Sequence, residues 1–544
     1  MNGAQAMVKC LENEGVEMVF GYPGVAICPF YDSLLDTDIK SVLIRTEQNA
    51  AHAASGLARV TGKVGVCAVT SGPGATNLIT GIATAFADSI PLVCITGQVN
   101  SELIGSDVFQ EADITGAAES FVKYSYLVKN AEDIPQIFKE AFYIANTGRK
   151  GPVLIDVPID VQNAPVRKFK YPDSVSMRTY KPTVKGHIVQ IKKVIAELEK
   201  AKRPVICAGG GVLLGDAQKL LQEFSHRHKI PVVTTMMGIG AMQTEDPLYF
   251  GMVGNNGAPC ANRAMNEADM IIMVGARVAD RAVNQPEIIT KNKVLVHMDV
   301  DPAEIGKNAG PTIPLVGDAK HIFSDMLEQE LDGDYSEWVV CLQEYEKTMA
   351  DTRKPDPAFV DPAEFVRRLS DKMEQDAVYV ADVGQNQIWS CRNCKIREGS
   401  FLTSGGMGTM GYSIPAAMGA KTAAMDKQVA PGRQVVAVCG DGSFQMSMME
   451  FATMRQYQVP VKIVVIANHY LGMVREYQQN TYKGRYSVVE LGGGPDLEKL
   501  AQAYGMDFIR LEAPDKMDEA IDAFLKDEDA VLMECVINPM DTVK

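Results

Sequence analysis

Several features are missing from this sequence, and each absence narrows what the chain can be. No block of Lys and Arg interleaved with aromatics occurs, and the formal charge is −15. An acidic surface repels polyanions, so nucleic acid is not expected as a partner. The beginning, MNGAQAMVKC, lacks the basic-then-apolar layout of a signal peptide. The longest uncharged run, Val64 to Ala87, holds SGPGATN at its centre, which would break a membrane helix halfway. It therefore reads as strand, turn and helix, and no membrane span is expected. The 11 cysteines show no disulfide-scaffold pattern, which suits reduced thiols in a cytoplasm. The one Cys-x-x-Cys, Cys391 to Cys394, lacks a second pair or a nearby His. Two free thiols are a simpler reading than a zinc or redox site.

What is present is an ordinary globular composition, 46% hydrophobic and 22% charged, over a length that predicts about three domains. Short β-rich runs alternate with helical patterns: SVLIRT, GVCAVT and PLVCITG as strands, NAAHAASGLARVTG and NLITGIATAFADS as helices. That rhythm means parallel sheets covered by helices, an α/β class. A polar, proline-bearing stretch, VQNAPVRKFKYPDSVSMRTYKPTVKG, reads as a linker. A second series follows with strands PVICAGG, IPVVTT, ADMIIMVGA and KVLVHMDV. After MADTRKPDPAFVDP comes a third, with AVYVADV, QVVAVCG, VKIVVIAN and AVLMECVI. The expected units are 1–165, 186–330 and 355–544.

The strongest local pattern lies in the third unit. QVVAVC runs into Gly440-Asp441-Gly442, then a helix over SFQMSMMEFATMRQYQ, then VKIVVIA ending at Asn468. A right-handed βαβ unit brings Asp441 and Asn468 out together at the carboxyl edge of the sheet. A carboxylate beside an amide oxygen suits a hard cation such as Mg²⁺, which keeps water and phosphate oxygens as its other ligands. The helix, expected to begin after Gly442, offers its N–H groups to the same phosphates. This arrangement resembles the thiamine diphosphate (ThDP) binding motif. The resemblance implies that Asp441, Asn468 and the Tyr470 carbonyl hold the metal, with Gly440, Gly442 and Ser443 against the diphosphate.

ThDP chemistry needs a carboxylate on the aminopyrimidine N1′, to exchange the proton that makes the 4′-amino group basic. Glu47, at the junction of SVLIRT with the following helix, is the candidate. Its alternative is a helix N-terminal glutamate favoured by the dipole. His52 on that helix has two readings, a catalytic contact or a hydrogen-bonded helix residue.

The whole chain resembles acetolactate (acetohydroxyacid) synthase large subunits. The matching stretches include GYPGVAICPFYDSL, RTEQNAAHAASGLARVTGKVGVCAVTSGPGATNLITGIATAFADSIPLVCITGQV, FQEADITG, GARVADR, HMDVDPAEIGKN, DVGQNQ, TSGGMGTMGYSIPAAMGAK, GDGSFQM and LGMVREYQ. The resemblance implies pyrimidine-binding, central and pyrophosphate-binding domains, and pyruvate condensation with a second 2-oxo acid in branched-chain amino acid synthesis. It implies a homodimer or homotetramer with active sites between subunits, Glu47 facing Asp441 of a neighbour, and a regulatory small subunit as a further partner. By the same resemblance Met410 props the cofactor into its bent form, with Gly408 and Met473 beside it, and Gln385 and Asn386 lie near the pyrophosphate. Gln110 and Lys123 line the substrate entrance, and Arg281 receives the carboxylate of the second acid. FAD, in a role without net redox, would sit on Phe109, Arg149, Gly209, Gly210, Gly211, Gly275, Arg277 and Asp318. The glycine triplet alone lacks the full dinucleotide fingerprint.

Several positions depart from the family pattern. Val25 replaces the second glycine of the first loop, and Asn255-Asn256 replaces Met-His in the flavin region. Val278-Ala279-Asp280 replaces Phe-Asp-Asp, Asn386 replaces a histidine and Ala467 an asparagine. Tyr477 replaces a tryptophan of the acceptor pocket, and VINPMDTVK stops short of the family's tail. These departures keep a second reading open: a ThDP-dependent 2-oxo acid decarboxylase, or a carboligase with another acceptor.

Overall fold

Three parallel sheets of six strands each organise the computed structural model, which describes residues 1–310, 312–349, 355–425, 432–526 and 528–543. The first sheet holds β1 (Met18–Tyr22), β2 (Lys40–Leu43), β3 (Gly65–Val69), β4 (Leu92–Gln98), β5 (Tyr124–Leu127) and β6 (Pro152–Pro158) in the order β2-β1-β3-β4-β6-β5. The second holds β7 (Pro204–Ala208), β8 (Val232–Thr234), β9 (Tyr249–Met252), β10 (Met270–Val274), β11 (Val294–Asp299) and β12 (Ile313–Val316), ordered β12-β11-β10-β7-β8-β9. The third holds β13 (Val378–Ala381), β14 (Ser400–Leu402), β15 (Val435–Gly440), β16 (Lys462–Ala467), β17 (Asp507–Leu511) and β18 (Val531–Val536), ordered β14-β13-β15-β16-β18-β17.

Taken strand for strand, the first and third sheets have the same order. The second has the doubly wound order associated with dinucleotide folds. Central strands such as β3, β4 and β15 are buried along nearly their whole length, because helices cover both faces. That is why they read as continuous apolar runs rather than alternating ones. The α/β class read from the sequence is the fold observed.

Val64 to Ala87 is β3, a turn, and the helix Pro73–Asp88, and among the described residues no helix is long and apolar enough to cross a membrane. The stretch 443–458 differs from the single helix expected. It is a short helix Asp441–Gln445, a 3₁₀ turn Met448–Glu450 and a helix Phe451–Tyr457. The break falls at Ser447, whose φ of −138° leaves the helical region.

The first linker has no helix or strand from 164 to 187 beyond one bridge between Pro165 and Asn2. It is not loose: Phe169, Tyr171, Met177 and Tyr180 pack on the first unit, and Tyr171 Oη donates to Glu14 at 2.7 Å. The second expected linker falls partly outside the described residues, at 350–354.

The first and third units share one core. Phe20, Val69 and Leu78 join Val380, Tyr412 and Phe444 in a single buried cluster. At its centre the helix Glu47–Thr61 crosses the helix Ser413–Met425 so closely that a side chain at Gly56 would overlap the Ala416 carbonyl. One at Gly419 would overlap the Ala53 carbonyl. The central unit has a core of its own.

Candidate active site

β15 and β16 are parallel neighbours, with Gly440 opposite Ile466, so Asp441 and Asn468 leave the sheet side by side. Asp441 Oδ2 accepts from the backbone N–H groups of Asn468 at 3.2 Å and His469 at 2.5 Å. Asn468 Oδ1 accepts from Tyr470 N at 3.0 Å, and its Nδ2 donates to Gln385 Oε1 at 3.1 Å. Gln385 in turn donates to Glu476 at 3.0 Å and to the Asp541 carbonyl at 2.9 Å. Leu471 N to Val489 O at 2.8 Å and Leu491 N to His469 O at 2.9 Å fasten the loop that carries Tyr470. The helix begins at Asp441, earlier than expected, and the Gly442 N–H is held by Asp441 Oδ1 at 2.9 Å.

These residues open onto a cavity of ≈ 710 Å³. Gln385, Asn386, Gly408, Met410, Gly440, Gly442, Ser443 and Met473 line it together with Asp441, Asn468 and Tyr470. A side chain at Gly442 would stand 2.9 Å from Leu471 Cδ2 and 3.6 Å from Met410 Cε, so glycine keeps this wall open. Burial pushes the Asp441 carboxyl above its ordinary range, against the His469, Gly442 and Asn468 N–H groups that favour its charge. A cation beside it would act in the same direction as those groups.

Two observations test the fit of a diphosphate with a divalent cation. The donor set is all oxygen, a carboxylate, an amide and a backbone carbonyl, as a hard cation requires. Asn386 Oδ1 is buried on the cavity wall without a partner. Among the described residues no group of three or more His, Cys, Asp or Glu is arranged to hold a metal ion.

The same cavity runs on to the second sheet. Gly210, Gly211, Gly275, Arg277, Arg281 and Asp318 line its far end. β7 and β10 are the neighbours at which that sheet's order reverses, and the turns after them press together. Gly211 N donates to Gly275 O at 3.0 Å, and a side chain at Gly211 would lie 2.6 Å from Gly275 Cα. Such a junction is where an α/β sheet takes a dinucleotide, so the residues fit FAD in place, though not by fingerprint. Arg149 lines the cavity while bonded to Ser89 at 3.1 Å, Glu304 at 3.1 Å and Asp301 at 3.4 Å. Gly209 lies behind the lining, and Phe109 is 87% exposed on a loop of the first unit, away from this cavity.

Glu47 is elsewhere. It opens the helix Glu47–Thr61 and accepts from Asn77 Nδ2 at 3.0 Å. Around it gather Gly74, Thr70 and Gly24, with Gly72 packed on the Gln110 backbone, all at the carboxyl edge of the first sheet. Gln110 has a φ of +61°, a left-handed conformation uncommon outside glycine and costly to hold. Glu47 and Gln110 thus share one edge, but that edge does not line the cavity of Asp441.

Lys123 joins neither group. Its ammonium donates to the carbonyls of Ile144 and Thr147, the latter at 2.8 Å, and to Tyr180 Oη at 2.8 Å. Burial, then the Arg149 charge, lowers its pKa to about 7. His52 is buried edge-on to Tyr412 with ring centres 5.3 Å apart, and burial lowers its pKa to about 3. It is a core histidine. Cys391 and Cys394 are free, buried thiols.

Sequence reasoning missed three carboxylates that hold the site's loops. Asp382 accepts from Val383 N at 2.8 Å, Gly411 N at 2.9 Å and Ser413 N at 2.8 Å, fixing the segment that carries Met410. Asp88 accepts from Gly406 N at 2.6 Å, with its other oxygen buried and unpartnered. Glu450 reaches from the third unit to the turn before Glu47. An Asp ending the strand AVYVA was a visible signal for the first; the others depend on contacts between units.

Family models match three parts of the chain. Residues 1–117 match the N-terminal TPP binding domain of thiamine pyrophosphate enzymes, 191–326 their central domain, and 382–535 their C-terminal TPP binding domain. A probable acetolactate synthase large subunit of Methanocaldococcus jannaschii is 42% identical, covering 100% of this chain and 93% of the relative. The acetolactate synthase large subunit of Haemophilus influenzae is 42% identical over 96% of this chain and 91% of its own length. That of Lactococcus lactis is 39% identical over 100% and 93%.

Proposed function

The chain belongs to the acetolactate synthase large-subunit family of thiamine pyrophosphate enzymes, and from that premise we propose that it decarboxylates pyruvate and condenses the hydroxyethyl unit with a second 2-oxo acid. With pyruvate as acceptor the product is 2-acetolactate, an entry to branched-chain amino acid synthesis. The observation that carries this reading is the pairing of Asp441 with Asn468 at the mouth of a cavity that continues to Arg281.

Bound thiamine diphosphate supplies a carbon nucleophile and an electron sink for decarboxylation. Asp441, Asn468 and the Tyr470 carbonyl would hold Mg²⁺ against the diphosphate, with Gln385, Asn386, Gly440, Gly442 and Ser443 around it. Gly408, Met410 and Met473 would shape the space next to the rings. Glu47 would exchange a proton with the pyrimidine N1′, and the Asn77 amide orients it by its hydrogen bond at 3.0 Å. Arg281 would receive the second acid's carboxylate, since its fork matches two oxygens at once.

Glu47 stands outside its own chain's cavity, so the reading needs a second copy to supply it, as homodimer or homotetramer. The first-sheet edge supports this: Val25 is 77% exposed and Phe109 87%, beside Glu47 and Gln110, as apolar residues awaiting a partner are. FAD on the central unit, a small regulatory subunit and a cytoplasmic location complete the proposal. The units 1–165, 186–330 and 355–544 are its domains. A second reading, decarboxylation alone or another acceptor, is favoured by Tyr477, 59% exposed where the family carries tryptophan.

Incubation with pyruvate, ThDP and Mg²⁺, measuring CO₂ and acetolactate together, tests the function. One acetolactate per CO₂ supports it. CO₂ with acetaldehyde and no acetolactate supports the second reading.

A further inference from the structure

Glu450 lies wholly inside the protein, on the turn Met448–Glu450 that follows the helix Asp441–Gln445. It belongs to the third unit, yet most of its hydrogen bonds go to the first. Oε1 accepts from the Arg45 backbone N–H at 3.1 Å and from Asn49 Nδ2 at 2.8 Å. Oε2 lies 3.2 Å from the same Arg45 N–H and accepts from Thr453 Oγ1 at 2.7 Å. Arg45 stands just before Thr46 and Glu47, and Asn49 just after Gln48. One carboxylate therefore grips the strand-to-helix turn on both sides of Glu47.

That grip bears on the turn itself, through one backbone and one side-chain donor. Thr46, the residue preceding the helix, gives its first turn no side-chain hydrogen bond. Within the first unit Asn77 holds the Glu47 carboxylate at 3.0 Å, and from the third unit Gln456 accepts from the Arg45 guanidinium at 2.6 Å, but only Glu450 binds the turn on both sides of Glu47. Docking of the two units is already provided by the close helix crossing at Gly56 and Gly419, and by Leu43 N donating to Tyr457 Oη at 2.9 Å. A buried carboxylate is a costly way to add adhesion, because its desolvation is unfavourable unless every oxygen is bonded. It is an effective way to fix backbone and side-chain donors in one place, because three donors, the Arg45 N–H, the Asn49 amide and the Thr453 hydroxyl, converge on one carboxylate.

We propose that Glu450 is a positioning residue for proton exchange at Glu47, fixing through Arg45 and Asn49 the turn that presents Glu47 to the cofactor. Glu450 lies on the same segment as Asp441, so the stretch that would hold the metal also sets the turn that carries the proton-exchanging carboxylate. This inference rests on the reading of Glu47 given above.

The test measures hydrogen–deuterium exchange at the thiazolium C2 carbon of the holoenzyme with ThDP and Mg²⁺, alongside ThDP affinity. The variants are Glu450→Ala, Asn49→Ala, Tyr457→Phe and Glu47→Gln. A misplaced catalytic group loses on the order of 10- to 100-fold. Glu450→Ala and Asn49→Ala are expected to slow exchange by that order while ThDP affinity changes little. Glu450→Ala placed on Glu47→Gln is expected to add no further loss, as for residues acting as a unit. Tyr457→Phe, which trims docking without touching the turn, is expected to exchange at the wild-type rate. If Glu450→Ala does not fold, Asn49→Ala and Glu450→Gln decide. The first should be slow, and the second, which keeps an acceptor for Arg45 and Asn49, should recover most of the rate. A Glu47→Gln variant that exchanges normally overturns the reading of Glu47 and this inference with it. A slow Glu47→Gln beside normal Glu450→Ala or Asn49→Ala overturns the positioning role alone. So does a Tyr457→Phe variant as slow as Glu450→Ala.

Discussion

Glu47 does not reach the cavity that holds Asp441, although both residues sit at carboxyl edges of parallel sheets with the same strand order. The two sheets share a core, and their helices Glu47–Thr61 and Ser413–Met425 are locked by glycine contacts. No small hinge within the chain would bring Glu47 and Asp441 together. On the role proposed for Glu47, their separation requires a second copy to complete the site.

Glu47→Gln should still bind ThDP through the diphosphate and metal residues, with at most a modest loss of affinity, since the glutamine keeps an acceptor for the pyrimidine but cannot exchange its proton. Turnover of pyruvate should fall by about a hundredfold or more, the usual loss with a general acid–base. Steady-state kinetics together with a ThDP titration check both halves.

Gly472→Ala should weaken Mg²⁺-dependent ThDP binding. The added methyl overlaps Gln385 Oε1, which accepts from Asn468 Nδ2 at 3.1 Å, so the amide that would ligate the metal loses its orientation. Disturbing such outer partners costs on the order of 10- to 100-fold in metal affinity. Titration with Mg²⁺ at fixed ThDP reads the shift.

Asp156 makes stability depend on pH. Burial raises its pKa from 3.8 to about 7, despite hydrogen bonds from Thr96 Oγ1 at 2.7 Å and Gln98 Nε2 at 3.0 Å. A carboxyl raised in the folded state binds its proton more tightly there than when unfolded. Its contribution is therefore complete below about pH 4 and is lost as pH rises to about 7. Urea unfolding should show the wild type losing stability across that window relative to Asp156→Asn.

Purified protein should carry flavin, visible in its absorbance, and Gly211→Val should lose it while keeping ThDP affinity. The valine would collide with Gly275 Cα, 2.6 Å from the first added carbon, and spread the junction of β7 and β10. Protein reconstituted with FAD and then desalted gives the comparison.

The local parts of the site were legible because they are written locally. Strand, Gly-Asp-Gly, helix, strand and Asn follow one another along the chain, and the buried strands show as apolar runs. β1, β5, β6, β9, β12, β14 and β17 were not read. Several of these are short or half-exposed: β14 has three residues, and β5 has no fully buried position. The helix break at Ser447 follows from no sequence signal, and it sets Glu450 against the first unit. The holds of Asp88 and Glu450, and the internal bonds of Lys123, join residues far apart in sequence. Nothing in the local pattern distinguishes them from solvated side chains. The repeated strand order of the first and third sheets left no sequence trace either, because many side chains fill the same α/β layers equally well.

The most direct test of the account is complementation between two inactive chains. Glu47→Gln and Asp441→Ala, each nearly silent alone, are co-expressed and purified together. Random pairing gives half mixed dimers, each with one intact site, so acetolactate formation should return to roughly a quarter of wild type. Activity no higher than that of the separate variants would mean that Glu47 and Asp441 serve one site within a single chain, and would contradict the account.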